Sequence, residues 1–262
     1  MPTEKDRAGT FDDTDVARCY AYRPPYAPAL YEFLREIAPG KKCLLDLGCG
    51  PGKVAAALAD DFTKVVAVDP AGAMIETARA LHAARHPNIA WMHARAEDVA
   101  LDDAIDLVTA GTSIHWMQHD VLFPRLAERS GLVAVITGDA PRDPPWRAEW
   151  RGAMTKWLKR LHGKTYDEAA FAADGQRFEA WLDIAGRKRF AFSFRQSVED
   201  FIACQHARAS WARMRMGDAL VAEFDRELDA LLRPWAQDGI LTLPMVSELT
   251  WGVPRRAREP EA

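Results

Sequence analysis

Five short apolar runs alternate with helical patterns across residues 42–138, and this alternation restricts the possible folds more than any other feature. The runs "KCLLDLG", "TKVVAVD", "IAWMHAR", "IDLVTAG" and "GLVAVITG" have the length and composition of buried strands. Helical patterns such as "GKVAAALADD" and "AGAMIETARALHAAR" lie between them. Strands that alternate with helices form βαβ units, so we predict an α/β, doubly wound fold with helices on both faces of a parallel sheet.

The remainder of the chain predicts mostly helices. One helix is expected from Pro28, ahead of the sheet, and another in "RAEWRGAMTKWLKRLHG" after it. We also interpret "GQRFEAWLDIAG", "SVEDFIACQHARASWARMR" and "GDALVAEFDRELDALLRPWAQDG" as helices, and "RFAFSFRQ" as a strand. The last run, "ILTLPMVSELTWGVP", contains Pro244. Because proline cannot donate a ladder hydrogen bond, we expect an edge strand or a bulge there.

Composition and charge limit the classes of function. The 262 residues are 48% hydrophobic, enough for one large domain, and the net charge of -4 does not favour nucleic-acid binding. The four cysteines form no C-x-x-C pair, so we expect no metal site, no disulfide framework and a reducing compartment. The polar N-terminus and the lack of a run of about eighteen apolar residues predict a cytoplasmic protein with no membrane partner. Residues 1–17 are expected to be mobile, and residues 253–262 to form a tail.

A turn with three alternate glycines follows the first predicted strand. In "LLDLGCGPGKVAAAL" these are Gly48, Gly50 and Gly52, whereas the dinucleotide-binding pattern G-x-G-x-x-G would place its third glycine at Lys53. Asp46 precedes the turn, and a carboxylate there would repel a pyrophosphate but attract a cation. We therefore predict a ligand with positive charge and no phosphate. S-adenosylmethionine, which carries a sulfonium and an ammonium group, meets both conditions.

Acidic residues follow the second and third predicted strands. Asp69 lies about 20 residues beyond the first glycine, where an acidic side chain accepts hydrogen bonds from ribose hydroxyls. Glu97 and Asp98, in "ARAEDV", lie where the amino group of an adenine is expected. These three carboxylates favour a ligand that contains a nucleoside.

Four segments, "LLDLGCGPG", "VVAVDPAGAMIETAR", "ARAEDV" and "IDLVTAGTSIHWM", resemble the successive motifs of class I S-adenosylmethionine-dependent methyltransferases in order and spacing. "YAYRPPYAPAL" and "DGILTLPMVSELTWGVPR" resemble, more loosely, the small-molecule branch that includes trans-aconitate methyltransferase and carries the methyltransferase type 11 domain. That family usually has Pro-Gly before its fifth strand, where this chain has "ERSG". The resemblance implies S-adenosyl-L-methionine as cofactor and S-adenosyl-L-homocysteine as product.

The resemblance also implies an architecture. It predicts a Rossmann-like sheet of seven strands in the order 3-2-1-4-5-7-6, with the last strand antiparallel and a helical lid inserted after strands 5 and 6. A single methyltransferase domain is expected over residues 18–252, with its cofactor-binding core at residues 40–140. The lid helices are expected at about residues 144–172 and 198–236.

The motifs and the resemblance together predict the cofactor-binding residues. Arg23 would contact the cofactor carboxylate, and Tyr22 would pack near the sulfonium, because the face of an aromatic ring attracts a cation. A simple packing role for this proline-rich segment is the alternative. The predicted cofactor-binding residues are Tyr22, Arg23, Asp46, Gly48, Cys49, Gly50, Gly52, Asp69, Pro70, Met74, Ala96, Glu97, Asp98, Ala110 and Gly111.

The residues expected at the acceptor follow the fourth strand or belong to the lid. His115 is a candidate base or hydrogen-bond donor, with ordering of its loop as the alternative. If residues 197–215 are helical, His206, Ser210 and Arg213 share a face; a solvated face with a buried tryptophan is the alternative. The predicted catalytic residues are His115 and His206, and the predicted substrate-binding residues are Trp116, Asp139, Trp146, Arg208 and Trp211.

These residues predict methyl transfer to a small-molecule acceptor by in-line displacement, promoted mainly by proximity and by exclusion of water. An oxygen of a carboxylate or hydroxyl is expected first and a heterocyclic nitrogen second, and a role in secondary metabolism is compatible with either. A nucleic-acid substrate is not expected, because the chain lacks an N-P-P-Y-like tetrapeptide after the fourth strand. The remaining alternative keeps the fold and the cofactor but assigns a non-methylating or binding role.

Overall fold

The computed structural model describes residues 9–163 and 176–257. The strands of its sheet are β1 (Cys43–Leu47), β2 (Lys64–Asp69), β3 (Ile89–His93), β4 (Leu107–Gly111), β5 (Val133–Thr137), β6 (Leu182–Ser197) and β7 (Ile240–Pro254). The α-helices are α1 (Thr14–Cys19), α2 (Pro28–Ile37), α3 (Lys53–Leu58), α4 (Gly72–His82), α5 (His119–Arg129), α6 (Arg147–His162), α7 (Val198–Gln205) and α8 (Asp218–Leu232). In the part of the chain that the structure describes, none of the helices is long and apolar enough to cross a membrane.

The strand order is β3-β2-β1-β4-β5-β7-β6, which confirms the predicted topology. β1 to β5 are parallel, and β7 is antiparallel to both β5 and β6. β1 and β4 are neighbours, so the direction in which the chain winds changes between them. Open α/β sheets bind ligands at such a switch point, outside the carboxyl ends of the strands. The topology therefore indicates where a site should lie.

Helices cover both faces of the sheet because successive strand residues point to opposite sides. Leu44 of β1 belongs to a buried cluster with Leu30 of α2 and residues of α3 and α4. Its neighbour Leu45 belongs to a second cluster, with Phe123 of α5, on the opposite face. Both faces are thus shielded from solvent, as nearly continuous apolar strands require.

The helices α6, α7 and α8 pack together beyond the carboxyl ends of the parallel strands, and we call them the lid. β6 and β7 continue past β5, whose last residue, Thr137, pairs with Glu248. The lid packs against this extension through a cluster that includes Trp157, Phe224 and Leu243. The β6–β7 pair therefore attaches the lid to the sheet at the edge where ligands are expected.

One predicted helix in the second half of the chain is largely strand. "GQRFEAWLDIAG" forms only a short 3₁₀ helix, Arg177–Trp181, and β6 begins at Leu182. β6 pairs with β7 along its whole length, with a bulge between Ile184 and Gly186. Cross-strand pairing here outweighs the helical pattern of a short segment, because strand formation depends strongly on such neighbours.

The helix predicted over residues 197–215 is too long. α7 ends at Gln205, and the following N–H groups bond to carbonyls three residues back, which is the pattern of tight turns. The helical face predicted for His206, Ser210 and Arg213 therefore does not form. His206 itself is fully buried rather than exposed on a helix surface.

β7 lies inside the sheet, although Pro244 predicted an edge strand or a bulge. Pro244 lies beyond the end of β5 and pairs with Ser193 of β6. Its carbonyl group accepts a hydrogen bond from the N–H of Arg142 on the side that β5 no longer occupies. Because the N and C=O of one strand residue point to the same side, the missing N–H removes no hydrogen bond to β6. The prediction was wrong because the sequence does not show where β5 stops.

Both chain ends are more regular than predicted. α1 begins after Asp13, whose side chain accepts hydrogen bonds from its first N–H groups, and Val16 is buried. The expectation of a mobile N-terminus is therefore wrong for residues 14–17, which are helical. Residues 253–254 of the predicted tail belong to β7. Outside the described residues lie 1–8, 164–175 and 258–262, and with them the end of the first predicted lid helix and half of the predicted tail.

Candidate functional site

A cavity of about 190 Å³ opens at the carboxyl ends of the parallel strands. It is bordered by the ends of β1, β2 and β4 and by residues 48–52 between β1 and α3, which we call the glycine turn. On the other side it is closed by Phe11 and by residues 20–26, which we call the strap. Asp139, just after β5, completes its wall. The parallel sheet thus brings together residues that are far apart in the sequence.

The glycines of the turn adopt backbone conformations that favour glycine. Their φ angles are +61° at Gly48, +52° at Gly50 and +90° at Gly52. A Cβ atom at Gly48 would lie 2.5 Å from the side chain of Ser113, and one at Gly52 would lie 2.5 Å from the ring of Trp91. A Cβ atom at Gly50 would have no neighbour closer than 3.9 Å, because Gly50 borders the cavity. The turn therefore leaves backbone exposed to a ligand at Gly50.

Asp69 lies at the end of β2 and holds the glycine turn in place. One carboxylate oxygen accepts a hydrogen bond from the N–H of Gly50 at 2.8 Å, and the other from the N–H of Ala71 at 2.9 Å. Burial raises the pKa of Asp69, and these two hydrogen bonds oppose that rise. The side chain also lines the cavity, so the lone pairs that the backbone does not use face a ligand.

Asp46, at the end of β1, borders the cavity and is only 1% exposed. It accepts hydrogen bonds from the N–H of Ala55 in α3 at 3.1 Å and from the hydroxyl of Thr109 in β4 at 2.8 Å. Burial raises its pKa to about 7, because these hydrogen bonds only partly offset the loss of solvent. A cation in the cavity would therefore shift Asp46 toward its ionised form.

Glu97 and Asp98 differ in position although they are adjacent. Glu97 lines the cavity, and its carboxylate accepts hydrogen bonds from the N–H of Gln118 at 2.6 Å and from Nε of Arg95 at 3.3 Å. Asp98 is exposed and does not line the cavity, so its position does not support a contact with adenine. The 3₁₀ helix Ala96–Asp98 turns the two side chains to different sides, which spacing alone does not reveal.

Three basic side chains surround Asp139 on the opposite side of the cavity. Its carboxylate lies 3.3 Å from Nη1 of Arg23 and 3.9 Å from Nη2 of Arg208. Lys53 borders the cavity beside them. Burial would raise the pKa of Asp139, but the attraction of these three cations is larger and holds it well below its usual value. One ionised carboxylate therefore faces three basic groups.

Two strap tyrosines, Tyr20 and Tyr26, line the cavity, and the prediction of Tyr22 was wrong. Tyr22 is 38% exposed and does not line the cavity, whereas Tyr20 does. The hydroxyl of Tyr20 accepts a hydrogen bond from Arg23 at 2.8 Å, and the guanidinium carbon of Arg23 lies 4.5 Å from the centroid of the Tyr20 ring. The 3₁₀ turn at Tyr20–Tyr22 explains the difference, because residues three apart share a face in that geometry.

Neither predicted catalytic histidine lines the cavity. Nδ1 of His206 lies 2.7 Å from the carbonyl oxygen of Trp211, and Nε2 lies 2.8 Å from the carboxylate of Asp225. These contacts tie the end of α7 to α8, so we assign His206 a structural role instead. His115 packs against Trp116 with 4.9 Å between ring centroids, and Trp116 is the one that lines the cavity. The position of His115 likewise does not support a catalytic role.

The two lid tryptophans predicted to contact the acceptor are core residues. Trp146 packs edge-to-face against Phe201, with 5.4 Å between ring centroids. Trp211 stacks on Phe224 of α8 at 5.7 Å. Neither lines the cavity, so their positions favour packing over substrate contact. Arg208, which follows α7, does not line the cavity either, but its Nη2 lies 3.9 Å from the carboxylate of Asp139, which does.

Most of the predicted cofactor-binding residues meet at the cavity. Those that line it are Arg23, Asp46, Gly48, Cys49, Gly50, Asp69, Pro70, Met74, Ala96, Glu97 and Gly111. Those that do not are Tyr22, Gly52, Asp98 and Ala110. The lining residues that the sequence had not assigned to the site are Phe11, Tyr20, Tyr26, Pro51, Lys53, Val54, Ala71, Arg95, Thr112, Ser113 and Met117. Several of them directly follow a predicted residue, and this adjacency is the signal that could have found them.

Thr112, one of these missed residues, has a strained backbone at the end of β4. Its φ is +53°, a region that β-branched residues rarely occupy. Its N–H donates to the carbonyl of Ile136 at 2.8 Å, and its hydroxyl lies 2.8 Å from the hydroxyl of Tyr26. Burial raises the pKa of Tyr26 well above its usual value, so its phenol stays neutral. Strain of this kind clusters at functional sites, and here it lies in the wall of the cavity.

The charge of the cavity fits a ligand that carries both signs. Asp46, Asp69 and Glu97 lie at or after the ends of β1, β2 and β3, where Arg95 pairs with Glu97, whereas Arg23 and Lys53 lie around Asp139. The buried Nε atom of Arg23 has no hydrogen-bond partner among the described residues. S-adenosylmethionine has positive groups for the acidic side and a carboxylate for the basic side, so the residues present fit it. A sheet of this order, with a glycine turn after β1 and an acid at the end of β2, is the arrangement predicted from the resemblance to class I methyltransferases.

Comparisons with known proteins agree with this class. Residues 44–130 match the family described as "Methyltransferase domain". The trans-aconitate 2-methyltransferases of Methylobacterium radiotolerans and of an Azoarcus species are 33% and 31% identical to this chain over 126 and 125 residues. Each alignment covers 46% of this chain and 47% or 48% of the relative. The chain therefore spans about half the length of the curated relatives it matches.

Solved structures share the fold. A putative type II methyltransferase from Anaeromyxobacter dehalogenans aligns with a TM-score of 0.64 at 24% identity, covering 90% of this chain and 99% of that one. A putative methyltransferase from an antibiotic biosynthesis pathway of Anabaena variabilis aligns with a TM-score of 0.52 at 18% identity, covering 87% and 98%. Residues 44–130 therefore match a methyltransferase domain, and the strand order is the one predicted from the resemblance to class I S-adenosylmethionine-dependent methyltransferases.

Proposed function

We propose that the protein transfers the methyl group of S-adenosylmethionine to an oxygen atom of a small anionic acceptor, with a carboxylate as the preferred nucleophile. The observation that carries this proposal is the division of charge in the cavity. Carboxylates lie at the ends of β1 and β2 and after β3, and basic side chains lie on the side of the strap and the lid. The carboxylates suit the positive groups of the cofactor. The basic side chains outnumber the carboxylate beside them, so they can also bind an acidic acceptor.

Specific residues would hold the cofactor. S-adenosylmethionine, when bound, supplies a methyl group on a positively charged sulfur, which is already an electrophile. Asp69 would accept hydrogen bonds from the ribose hydroxyls, and Asp46 would face the positive groups. Arg23 would donate to the carboxylate through its unpaired Nε atom. The lack of a side chain at Gly50 would let the ligand approach the backbone closely.

The surplus of basic groups supports an anionic acceptor. Arg23, Lys53 and Arg208 face one carboxylate, Asp139. The carboxylate of the cofactor would offset one further charge, and an acidic acceptor would offset the rest. Arg208 is suited to this contact, because its side chain is 28% exposed and a guanidinium group can bind a carboxylate with two parallel hydrogen bonds. The two relatives are trans-aconitate 2-methyltransferases, a name that indicates an acid as their substrate.

The protein would act mainly by orienting the reactants and excluding water. Phe11, Tyr20 and Trp116 give the cavity an aromatic lining, and Phe11 packs edge-to-face against Trp116 at 5.8 Å. A carboxylate nucleophile is already ionised at neutral pH, so it needs no general base. The displaced position of the two predicted histidines is consistent with such an acceptor.

Methyl transfer can be tested with methyl-labelled S-adenosylmethionine and a panel of small acceptors. We expect label in a methyl ester of a carboxylic acid such as trans-aconitate, and none in phenols or heterocyclic amines. Labelled amine or ether products alone would contradict an acidic acceptor. Binding of S-adenosylhomocysteine without transfer to any class of acceptor would favour a non-methylating role.

Arg208→Ala should then raise the KM for the acid by about tenfold or more, because a charged hydrogen bond of about 1.5–3 kcal/mol is lost. Its effect on the affinity for S-adenosylhomocysteine should be small. Arg189→Ala is the matched control, since Arg189 lies on β6 and pairs with Glu248, whereas Arg208 faces Asp139 in the cavity wall. Equal KM values for the two variants would rule out Arg208 as the acceptor contact.

Asp46 predicts a pH dependence that separates the substrate from the product. The two molecules differ in the sulfonium charge, and Asp46 ionises as the pH rises through about 7. The affinity for S-adenosylmethionine, divided by that for S-adenosylhomocysteine, should therefore rise by roughly tenfold between about pH 6 and about pH 8. Asp46→Asn should make this ratio independent of pH. A flat ratio in the wild-type protein, measured by calorimetry, would place the sulfonium away from Asp46.

A further inference from the structure

Lys53 is a half-buried cation at the cavity to which the proposed function gives no individual task. It is the first residue of α3, directly after the glycine turn. Its ammonium donates to the carbonyl of Pro24 at 2.7 Å and, more weakly, to that of Arg23 at 3.4 Å. Nζ also lies 5.5 Å from the centroid of the Tyr26 ring. All three contacts are with the strap, so one side chain joins the two walls of the cavity.

The strap depends on such contacts because its own backbone offers few. Pro24 and Pro25 have no N–H groups, so this part of the strap cannot be held by backbone donors. Elsewhere the strap is tied through side chains: Gln196 donates to the carbonyl of Tyr22 at 2.5 Å, and the hydroxyl of Tyr26 meets that of Thr112. The ammonium of Lys53 is the contact that reaches the middle of the strap from the glycine turn.

We propose that Lys53 is a positioning residue for the cofactor: its ammonium holds the strap closed over the glycine turn and so sets how tightly the cofactor binds. This inference rests on the proposed function for the identity of the ligand. Through the strap, Lys53 would control the positions of Tyr20 and Arg23, which line the cavity themselves. It would act through these residues without touching the reacting atoms.

The charged and titratable groups that face Lys53 come from four elements. Arg23 and Tyr26 belong to the strap, Asp139 follows β5, Cys204 lies on α7 and Arg208 follows α7. Burial lowers the pKa of Lys53 to about 8, an effect that Asp139 opposes and Arg23 reinforces. Burial raises the pKa of Cys204 to about 11 and that of Tyr26 well above its usual value. Lys53 is therefore the member of this group that loses its charge near pH 8.

The pKa of Lys53 determines whether the affinity for the cofactor rises or falls with pH. The carboxylate of the cofactor would favour the ammonium form of Lys53, so above about pH 8 binding would take up a proton. Affinity must fall with rising pH wherever the bound state holds more protons than the free state. Lys53→Arg keeps the charge over this range, because arginine does not lose its proton.

Hydrogen exchange and calorimetry on three proteins test the proposal. In Lys53→Met at pH 7, the amides of residues 20–27 should exchange about tenfold faster than in the wild type, and the affinity for S-adenosylhomocysteine should fall about tenfold. Between about pH 7 and about pH 9.5 the wild type should lose about tenfold in affinity, and Lys53→Arg clearly less. The amino group of the ligand titrates equally with both proteins, so their difference isolates Lys53. Lys188→Met is the control, because Lys188 is an exposed lysine on β6 that contacts Phe33.

The possible outcomes separate this proposal from the proposed function. Equal exchange of residues 20–27 in wild type and Lys53→Met would overturn the role of Lys53 in holding the strap. Faster exchange with unchanged affinity would overturn its effect on the cofactor. If Lys53→Met does not fold, the difference between the pH profiles of wild type and Lys53→Arg decides alone, and identical profiles overturn the proposal. A wild-type protein that binds no S-adenosylhomocysteine would instead overturn the proposed function.

Discussion

Asp69→Ala is expected to weaken the binding of S-adenosylhomocysteine by about a hundredfold or more. The substitution removes the hydrogen bonds between the Asp69 carboxylate and both ribose hydroxyls, each worth about 1.5–3 kcal/mol when one partner is charged. It would also release the N–H groups of Gly50 and Ala71, which the carboxylate holds at 2.8 and 2.9 Å. The glycine turn would then lose the support that fixes it beside the cavity. Calorimetry with S-adenosylhomocysteine measures the effect directly.

A matched control distinguishes the loss of a ligand contact from a general effect of charge. Asp98 is also an acid that follows a strand, but it is exposed and does not line the cavity. Asp98→Ala should therefore leave the affinity within about twofold of the wild type, since surface substitutions usually change little. Unchanged affinity in Asp69→Ala, or an equal loss in both variants, would contradict the ribose assignment. A thermal melt of each variant verifies that the fold is retained.

Gly138→Ala is expected to lower the free energy of unfolding by about 3 kcal/mol or more. Gly138 has a φ of +96°, which costs an L-residue free energy, and a Cβ atom there would lie 2.0 Å from the carbonyl oxygen of Val246. Val246 belongs to β7, whose backbone pairs with β6 and cannot move away without breaking that pairing. Since Gly138 directly precedes Asp139, the basic side of the cavity would be displaced as well.

Gly152→Ala provides the opposite control for this prediction. Gly152 is an exposed glycine in α6, and a Cβ atom there would have no neighbour within 4 Å. Alanine should therefore stabilise the protein by about 0.5–1 kcal/mol, the difference in helix propensity between the two residues. Denaturant unfolding of both variants gives the comparison. Similar stabilities for the two would mean that β7 can yield at Val246, contrary to the interior position of that strand.

The parts of the site that were predicted from the sequence depend on short, local patterns. The alternation of apolar runs and helical segments predicted the sheet, and the spacing from the glycine turn predicted Asp69. The glycine turn and Asp69 both lie at the carboxyl ends of strands, and a parallel sheet brings these ends to one edge whatever the details of packing. For the same reason Asp46 and Glu97 also line the cavity.

The predictions that were wrong depended on which side chains of an irregular segment face the cavity, or on where a helix or strand ends. Tyr22 was chosen in place of Tyr20 because the sequence does not show that this stretch is a 3₁₀ turn. His206 was predicted to be catalytic on a helix spanning residues 197–215, but α7 ends one residue before it and its ring bonds Trp211 and Asp225. Pro244 was assigned to an edge because the end of β5 is set by pairing and not by composition.

The sequence by itself determined the fold class, the glycine turn and the acidic side of the cavity, because each follows from periodicity or from a fixed offset along one βα unit. The sequence also predicted Arg23, Asp139 and Arg208 as site residues, but only the tertiary structure showed that they form one group with Lys53, since they come from the strap, from after β5 and from after α7. Contacts between such distant segments depend on how the lid and the strap pack on the sheet. No local pattern carries that information, so the charge that favours an acidic acceptor becomes visible only in the folded chain.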